Sequence, residues 1–247
     1  MARVLLGARR DLPRWTSLLT GTDVKSDAAV LDVGSATGHR LQTLRRHGLR
    51  RLTGTDEHLP GQSATDNGMG LLAAALGRLS GPFDVILFHH SLEHIEDPVG
   101  VLRTVDRLLA PGGTVVIRVP LAGSFAWRSY QSHWVQLDAP RHLFLPTPAA
   151  VELLAAEVGF AVVKVVYDST SFQFWGSEQY QRGIPLTDPC SYQLNPAGSP
   201  FSSAEIEDFE RRAERLNANH DGDQAAFALR RPGAARPAPL EHIGRPG

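Results

Sequence analysis

Residues 29–56, AVLDVGSATGHRLQTLRRHGLRRLTGTD, decide the fold. Val30, Leu31 and Val33 form a short apolar run, the pattern of a parallel strand buried on both faces. Gly34 and Gly38 bracket a tight turn in which a missing Cβ lets backbone approach a ligand. From Arg40 to His47, Leu41 and Leu44 share one helical face and the arginines take the other. Leu52, Thr53 and Thr55 predict a second short strand that ends at Asp56. Ligands of open α/β sheets bind beyond the carboxyl ends of the strands, beside the point where strand order reverses. A carboxylate at Asp56 can accept hydrogen bonds from both hydroxyls of a ribose. The stretch reads as half of a nucleoside-binding sheet.

A second block, FDVILFHHSLEHIEDPVGVLRTVDRLLAPGGTVVIRVP at residues 83–120, extends that sheet. Asp84 to Phe88 is an apolar strand. Asp97-Pro98 starts a helix on which Val101, Leu102, Val105, Leu108 and Leu109 recur at helical spacing. Pro111-Gly112-Gly113 ends it, and Thr114 to Val119 is another buried strand.

At these residues the chain resembles class I S-adenosylmethionine-dependent methyltransferases. V-L-D-V-G-S-A-T-G is similar to the first motif of that family, with Asp32 two residues before the first glycine. The family usually has three alternating glycines, and here the middle one is Ala36. His90-Ser91-Leu92-Glu93-His94-Ile95-Glu96-Asp97-Pro98 is similar to the H-x-L-E-H-x-x-D-P-like segment after the fourth strand of a small-molecule subgroup. The resemblance implies an α/β fold: a doubly wound, mostly parallel seven-stranded sheet with an antiparallel last strand and a small cap. It also implies S-adenosylmethionine as cofactor, with S-adenosylhomocysteine as product and no metal. Gly34, Ser35, Ala36 and Gly38 then take the amino-acid end of the cofactor, with Asp32 beneath the loop. Asp56, with Glu57 beside it, takes the ribose, and His89 and His90 stand by the sulfonium. Family members commonly place a helix and a third strand after the ribose acid, then an acid against the adenine. The interval from Asp56 to Phe83 is short for this and offers only Asp66, in a turn-rich stretch.

Composition narrows the partners. The 247 residues fit one large α/β domain, and 42% hydrophobic content supports a sizeable core. A formal charge of −1 gives no polyelectrolyte signature, so nucleic acid is not expected as substrate. The single cysteine, Cys190, excludes an intramolecular disulfide and a multi-cysteine zinc site. No apolar run reaches the roughly 20 residues of a membrane span, and MARVLLGARR lacks a secretory core. The expectation is a cytoplasmic protein acting on a small-molecule acceptor, with a homodimer left open.

The remaining segments complete the domain plan. Residues 1–27 are expected as a helical lead segment in which Trp15 packs on the core or closes over the cofactor. Residues 28–230 form the methyltransferase domain, with an acceptor-side loop at 120–146 and a cap insertion at 169–221. Thr147-Pro148 starts a helix, Phe160 to Val166 and Gly222 to Leu229 are late strands, and Ser202-x-x-Glu205 is a capping box. Residues 231–247 are a Pro/Gly/Arg-rich tail. Phe172, Phe174, Trp175, Tyr180 and Tyr192 either wall the acceptor pocket or pack the cap.

Transfer of a methyl group to a hydroxyl is helped by a general base, for which histidine suits neutral pH. His133 and His142 flank W-V-Q-L-D-A-P-R in the loop after the fifth strand, and His94 follows Glu93. These three are the catalytic candidates, His142 first. Their structural alternatives are a bond to a loop carbonyl or a helix cap. His89 and His90 face opposite sides of a strand, so a zinc site built on that pair is not expected. Two other functions stay open. A degenerate, non-catalytic methyltransferase-fold binding protein is one. A nicotinamide-dependent oxidoreductase is the other, and it would need the G-x-G-x-x-G that Gly34 and Gly38 do not supply.

Overall fold

The structure is a computed structural model that describes residues 14–18, 25–59, 64–66 and 69–233. Its centre is the expected strand–turn–helix–strand unit. β1 (Ala29–Val33) is buried along its whole length, as an apolar run flanked by helices on both faces must be. The turn leads into α1 (His39–Arg46), which buries Leu41 and Leu44 and leaves Arg45 and Arg46 in its last turn, where cations suit the helix dipole. β2 (Arg51–Thr55) returns parallel to β1, with Asp32 opposite Gly54.

Further strands extend the sheet on both sides. β3 (Ala64–Asp66) and β4 (Met69–Leu72) form an antiparallel pair, and β4 lies parallel to β2. β5 (Phe83–His89) lies on the other side of β1, and α2 (Pro98–Leu108) leads to β6 (Leu109–Pro120) parallel to β5. Asp97 caps α2 by accepting from the Gly100 amide at 2.8 Å, and Pro98 occupies the first turn, where its missing N–H costs nothing. After α3 (Phe125–Tyr130) and α4 (Pro148–Glu157) comes β7 (Ala161–Tyr167). The cap helices α5 (Phe172–Gln181) and α6 (Ser203–Ala218) precede β8 (Gln224–Arg230), which inserts antiparallel between β6 and β7. The order is β3-β4-β2-β1-β5-β6-β8-β7.

This is the expected doubly wound sheet with an antiparallel finish, plus one short edge strand. The strand order reverses between β1 and β5, which places the ligand crevice at the carboxyl ends of those strands. One apolar cluster packs α2 and α4 on one face of the sheet, and a second packs α1 on the other. The capping box is present: Ser202 accepts from the Glu205 amide, and Glu205 accepts from the Ser202 amide at 2.8 Å.

Two local expectations are corrected, and a third lies mostly outside the described residues. The interval after Asp56 holds the β3–β4 hairpin, so a strand forms in a stretch read as turns; Asp66 lies in β3 opposite Met69. Most of the lead segment lies outside the described residues, as do the Trp15 side chain and residues 234–247; Arg14–Leu18 is a 3-10 turn whose Ser17 carbonyl accepts from Lys164 of β7. The excursion after β7 contains α5, a helix not expected from the sequence, whose Phe174 and Trp175 are buried with Trp134, Phe201 and Phe209. Phe174 stacks on Phe209 at 5.4 Å, and the Arg212 guanidinium lies over both rings, 4.2 Å from the first and 5.7 Å from the second. These rings pack the cap together, which the alternation of aromatic and polar residues could not distinguish from a pocket wall.

Candidate functional site

A cleft of about 360 Å³ opens beyond the carboxyl ends of β1, β2 and β5, within the range of about 300–1,000 Å³ typical of small-molecule sites. It is lined by Gly34 from the first turn, Asp56, Glu57 and His58 after β2, and Ala74 and Leu76 after β4. Val33, Thr55, His90, Ser91, His94, Ile95 and Val101 complete it. The polar groups gather along the β1–β2 and post-β5 sides, and apolar side chains form the opposite wall.

The first turn is held from below and from the side. Gly34 and Ser35 both donate backbone N–H bonds to the Thr55 carbonyl, at 2.8 and 3.1 Å. Gly34 has φ +72° and Gly38 φ +77°, the left-handed region that glycine enters without cost. Ala36, with φ 45°, enters it with a Cβ. Its amide donates to Asp56 Oδ2 at 3.1 Å, while His58 N–H donates to Asp56 Oδ1 at 2.9 Å. Each Asp56 oxygen keeps a second lone pair for a ligand hydroxyl. Ala36→Gly is expected to stabilise the fold by about 1 kcal/mol, the cost of left-handed backbone for an L-residue offset by glycine's larger unfolded-state entropy. Urea unfolding measures it, and a destabilised variant would contradict this reading of the turn.

Asp32 lies under the turn, fully buried, and both its oxygens accept from Arg40 Nη1 at 2.6 Å. Burial pushes its carboxyl pKa up, against the opposing pull of the Arg40 charge and hydrogen bonds. Arg40 Nη2 reaches the ring of His89 (Nδ1, 3.0 Å), and Arg118 Nη1 stands 3.4 Å from its Nε2. Arg118 in turn is paired with the buried Asp168 at 2.8 Å. His89 therefore belongs to a polar seam that locks the turn to β5 and β6, and it does not line the cleft, whereas His90 does. The expected opposite facing of the two rings does not hold: His90 lies past the end of β5 with φ 51°, and its ring meets that of His89 edge-on at 5.2 Å.

Burial, then the Arg118 and Arg40 guanidiniums and His90, hold the pKa of His89 far below the ordinary histidine value. Protonation therefore favours the unfolded chain, where the pKa is about 6.5. The contribution of His89 is fully present above about pH 6.5 and is lost as pH falls below it, by up to about 1.4 kcal/mol per pH unit. In His89→Gln that slope should flatten, as read by urea unfolding between about pH 7 and pH 5. Equal slopes in the two proteins would contradict the assignment.

A second polar group stands on the acceptor side. His90 has φ 51°, an uncommon left-handed conformation for a non-glycine residue. Its Nδ1 lies 3.0 Å from Glu93 Oε1, and Glu93 is fully buried. His94 Nδ1 donates to the Arg141 carbonyl and His142 Nδ1 to the Gln136 carbonyl, each at 2.8 Å. The loop after β6 is thus pinned to the turn after β5, and the Leu143 amide adds a 2.8 Å bond to the Glu93 carbonyl. The His142 ring nitrogen Nε2 stands 4.0 Å from Glu93 and 3.8 Å from Asp138. Burial holds the pKa of His142 below the ordinary value, so the ring is neutral. Behind this group the buried Asp223 accepts from Trp134 Nε1 (3.0 Å) and Gln136 Nε2 (2.6 Å), fixing the loop to β8.

Of the sequence candidates, Gly34, Asp56, Glu57, His90 and His94 meet in the cleft, whereas Ser35, Ala36 and Gly38 continue the turn and Asp32 lies buried under it, outside the cleft lining. His142 joins His94 rather than lining the cleft, their rings 4.9 Å apart. His133 is exposed in the 3-10 turn Gln131–His133, outside the cleft lining. The sequence reading missed Ser91, Arg40, Arg118, Asp168 and Asp223. Of these only Arg118 lies in a strand, where a charge inside an apolar run is a signal; the others become informative once partners far along the chain are known.

Residues 6–165 match a family model described as a methyltransferase domain, which is more than half of the chain. The chain belongs to that methyltransferase-domain family. A ubiquinone biosynthesis O-methyltransferase from Psychrobacter arcticus is 28% identical over 168 residues, covering 59% of this chain and 65% of the relative. The match thus spans just under two thirds of the relative's length. A methyltransferase solved in complex with the Haloferax volcanii Trm112 methyltransferase activator superposes with a TM-score of 0.57 at 18% identity, covering 92% of this chain and 90% of that one. The mycolic acid cyclopropane synthase CmaA1, solved with SAH and CTAB, superposes with a TM-score of 0.55 at 17% identity, covering 93% and 89%. Both share the fold of the methyltransferase domain described above. No helix among the described residues is long and apolar enough to cross a membrane.

Proposed function

We propose that this methyltransferase domain binds S-adenosylmethionine in the cleft and methylates a hydroxyl of a small molecule, with a phenol or quinol favoured. The observation that carries the reading is the convergence of the Gly34 turn and the Asp56 carboxylate on one cleft whose far side holds His90 and His94. Asp56, already oriented by two backbone amides, fits the ribose, and Gly34 lines the cleft beside it. Ala74, Leu76 and Ile95 offer the apolar surface that an adenine ring needs. The cofactor, when bound, supplies an activated methyl group on a sulfonium. The protein's own task is to align the acceptor and to hold its proton.

His90 suits the second task. With Nδ1–H donated to Glu93 Oε1, Nε2 is left as the proton acceptor of the ring, and the buried carboxylate fixes that tautomer. His90 lines the cleft with φ 51°, and residues held in sparsely populated backbone regions cluster at functional sites. The Psychrobacter relative, named an O-methyltransferase of ubiquinone biosynthesis, supports oxygen as the acceptor atom and a quinol-like ring as its carrier.

The test is methyl transfer from isotope-labelled S-adenosylmethionine to a panel of phenols, quinols and sugars. One chemical class should be methylated, and His90→Gln should lower kcat by about 100-fold, a typical general-base contribution, without altering affinity for S-adenosylhomocysteine. Cofactor binding with no turnover on any class would favour the second reading, a non-catalytic binding protein. Ala36 in place of the middle glycine keeps that reading open.

A further inference from the structure

We infer that Glu93, His94 and His142 form a binding site for one divalent first-row transition ion at the acceptor end of the cleft. One ligand atom from each residue lies within 4.8 Å of the others. Around an ion with bonds of about 2.1 Å, tetrahedral ligands stand about 3.4 Å apart, so the three close by roughly an ångström on binding. Motion of that size is available to His94, which is exposed.

Three features separate this group from an incidental cluster. Both imidazoles already use Nδ1 as donor to a backbone carbonyl, His94 to Arg141 and His142 to Gln136, each at 2.8 Å. That leaves the Nε2 lone pairs free and the rings oriented, the outer-shell pattern that metal-ligating histidines show almost without exception. The Glu93 carboxylate is fully buried, and its Oε2 has no hydrogen-bond partner among the described residues. A buried carboxylate with half of its acceptor capacity unmet is costly unless a cation compensates it. Finally, the burial is graded from Glu93 at the bottom, through His142, to exposed His94. An ion held there would keep an open position toward the cleft that His94 lines. Two imidazoles and one carboxylate suit zinc, cobalt, manganese or iron, and suit magnesium poorly, because magnesium prefers oxygen ligands.

The use of the open position rests on the proposed methylation: the ion would take the acceptor's oxygen and hold it beside His90, favouring loss of its proton. The site itself does not depend on that reading. It also differs from the pairing that the sequence set aside, since it uses neither His89 nor His90.

The full chain, stripped with a chelator, would be titrated with Zn²⁺ by calorimetry and with Co²⁺ by visible absorption, without cofactor or acceptor. One equivalent of each should bind, with Co²⁺ showing the bands of a low-symmetry site and the weaker affinity. His94→Gln, on the exposed residue and expected to fold normally, should weaken Zn²⁺ at least tenfold, and Glu93→Gln should do so more strongly. His220→Gln, on a cap histidine outside the triad, should leave binding unchanged. Absence of stoichiometric Zn²⁺ binding, or binding that survives in His94→Gln unaltered, would overturn the site. Intact Zn²⁺ binding with no methyl transfer to any acceptor would retain the site and remove the methylation reading.

Discussion

Replacing Asp56 by alanine is expected to weaken binding of S-adenosylhomocysteine by about 100-fold or more. Two charge-assisted hydrogen bonds to a ribose contribute about 1.5–3 kcal/mol each. The lower end applies here because Asp56 is partly exposed, giving roughly 3 kcal/mol, or about 100-fold. The side chain also shapes the site before any ligand arrives. Its two oxygens accept from the Ala36 and His58 amides, so the alanine variant loosens the turn and the segment after β2 together. Asp56→Asn keeps the shape and one acceptor oxygen and should lose about tenfold. Calorimetry on the three proteins, with urea unfolding to confirm similar stability, reads the effect. Unchanged affinity in the alanine variant would mean that the ribose lies elsewhere.

Gly34→Ala is expected to cost about 2–4 kcal/mol of stability, the sum of a left-handed backbone penalty and overpacking against a fixed neighbour. A Cβ at Gly34 would stand 2.6 Å from the Ser91 Cβ. Ser91 cannot swing aside, because it is buried and its hydroxyl donates to the Val33 carbonyl at 2.7 Å. Gly112 provides the internal comparison: its φ is +75°, yet a Cβ there meets nothing within 4 Å. Gly112→Ala should therefore cost only the backbone part, about 1 kcal/mol. Urea unfolding of both variants separates the two contributions. A Gly34→Ala protein no less stable than Gly112→Ala would contradict the close packing of the first turn on the post-β5 segment.

Much of this site was legible in the sequence because it is local. The turn at Gly34, the acid ending β2 and the His90-to-Pro98 segment lie within short stretches whose periodicity and turn chemistry set their conformation. Asp97-Pro98 and Ser202-x-x-Glu205 were legible for the same reason, since a helix cap is read over four residues. What was hidden depends on distant pairing. Nothing in a list of residues says that Arg118 on β6 meets Asp168 after β7, or that Asp223 secures Trp134 and Gln136. Nor does it say that the loop carrying His142 folds back onto Glu93. The β3–β4 hairpin was missed because its strands are only three and four residues long, and the pairing with β2 supplies what local propensity does not. The aromatic residues of the cap were ambiguous for a different reason. A buried ring and a ligand-facing ring have the same sequence signature, and packing against α6 decided between them.

The most direct test of the central claim is amide hydrogen exchange of the full chain with and without S-adenosylhomocysteine, with NAD as the control ligand. The account predicts slower exchange in three separate segments: the turn from Gly34 to Gly38, Asp56 to His58, and His90 to Ile95. NAD should leave all three unchanged. Protection confined to other segments, or protection by NAD in place of the adenosyl ligand, would contradict it.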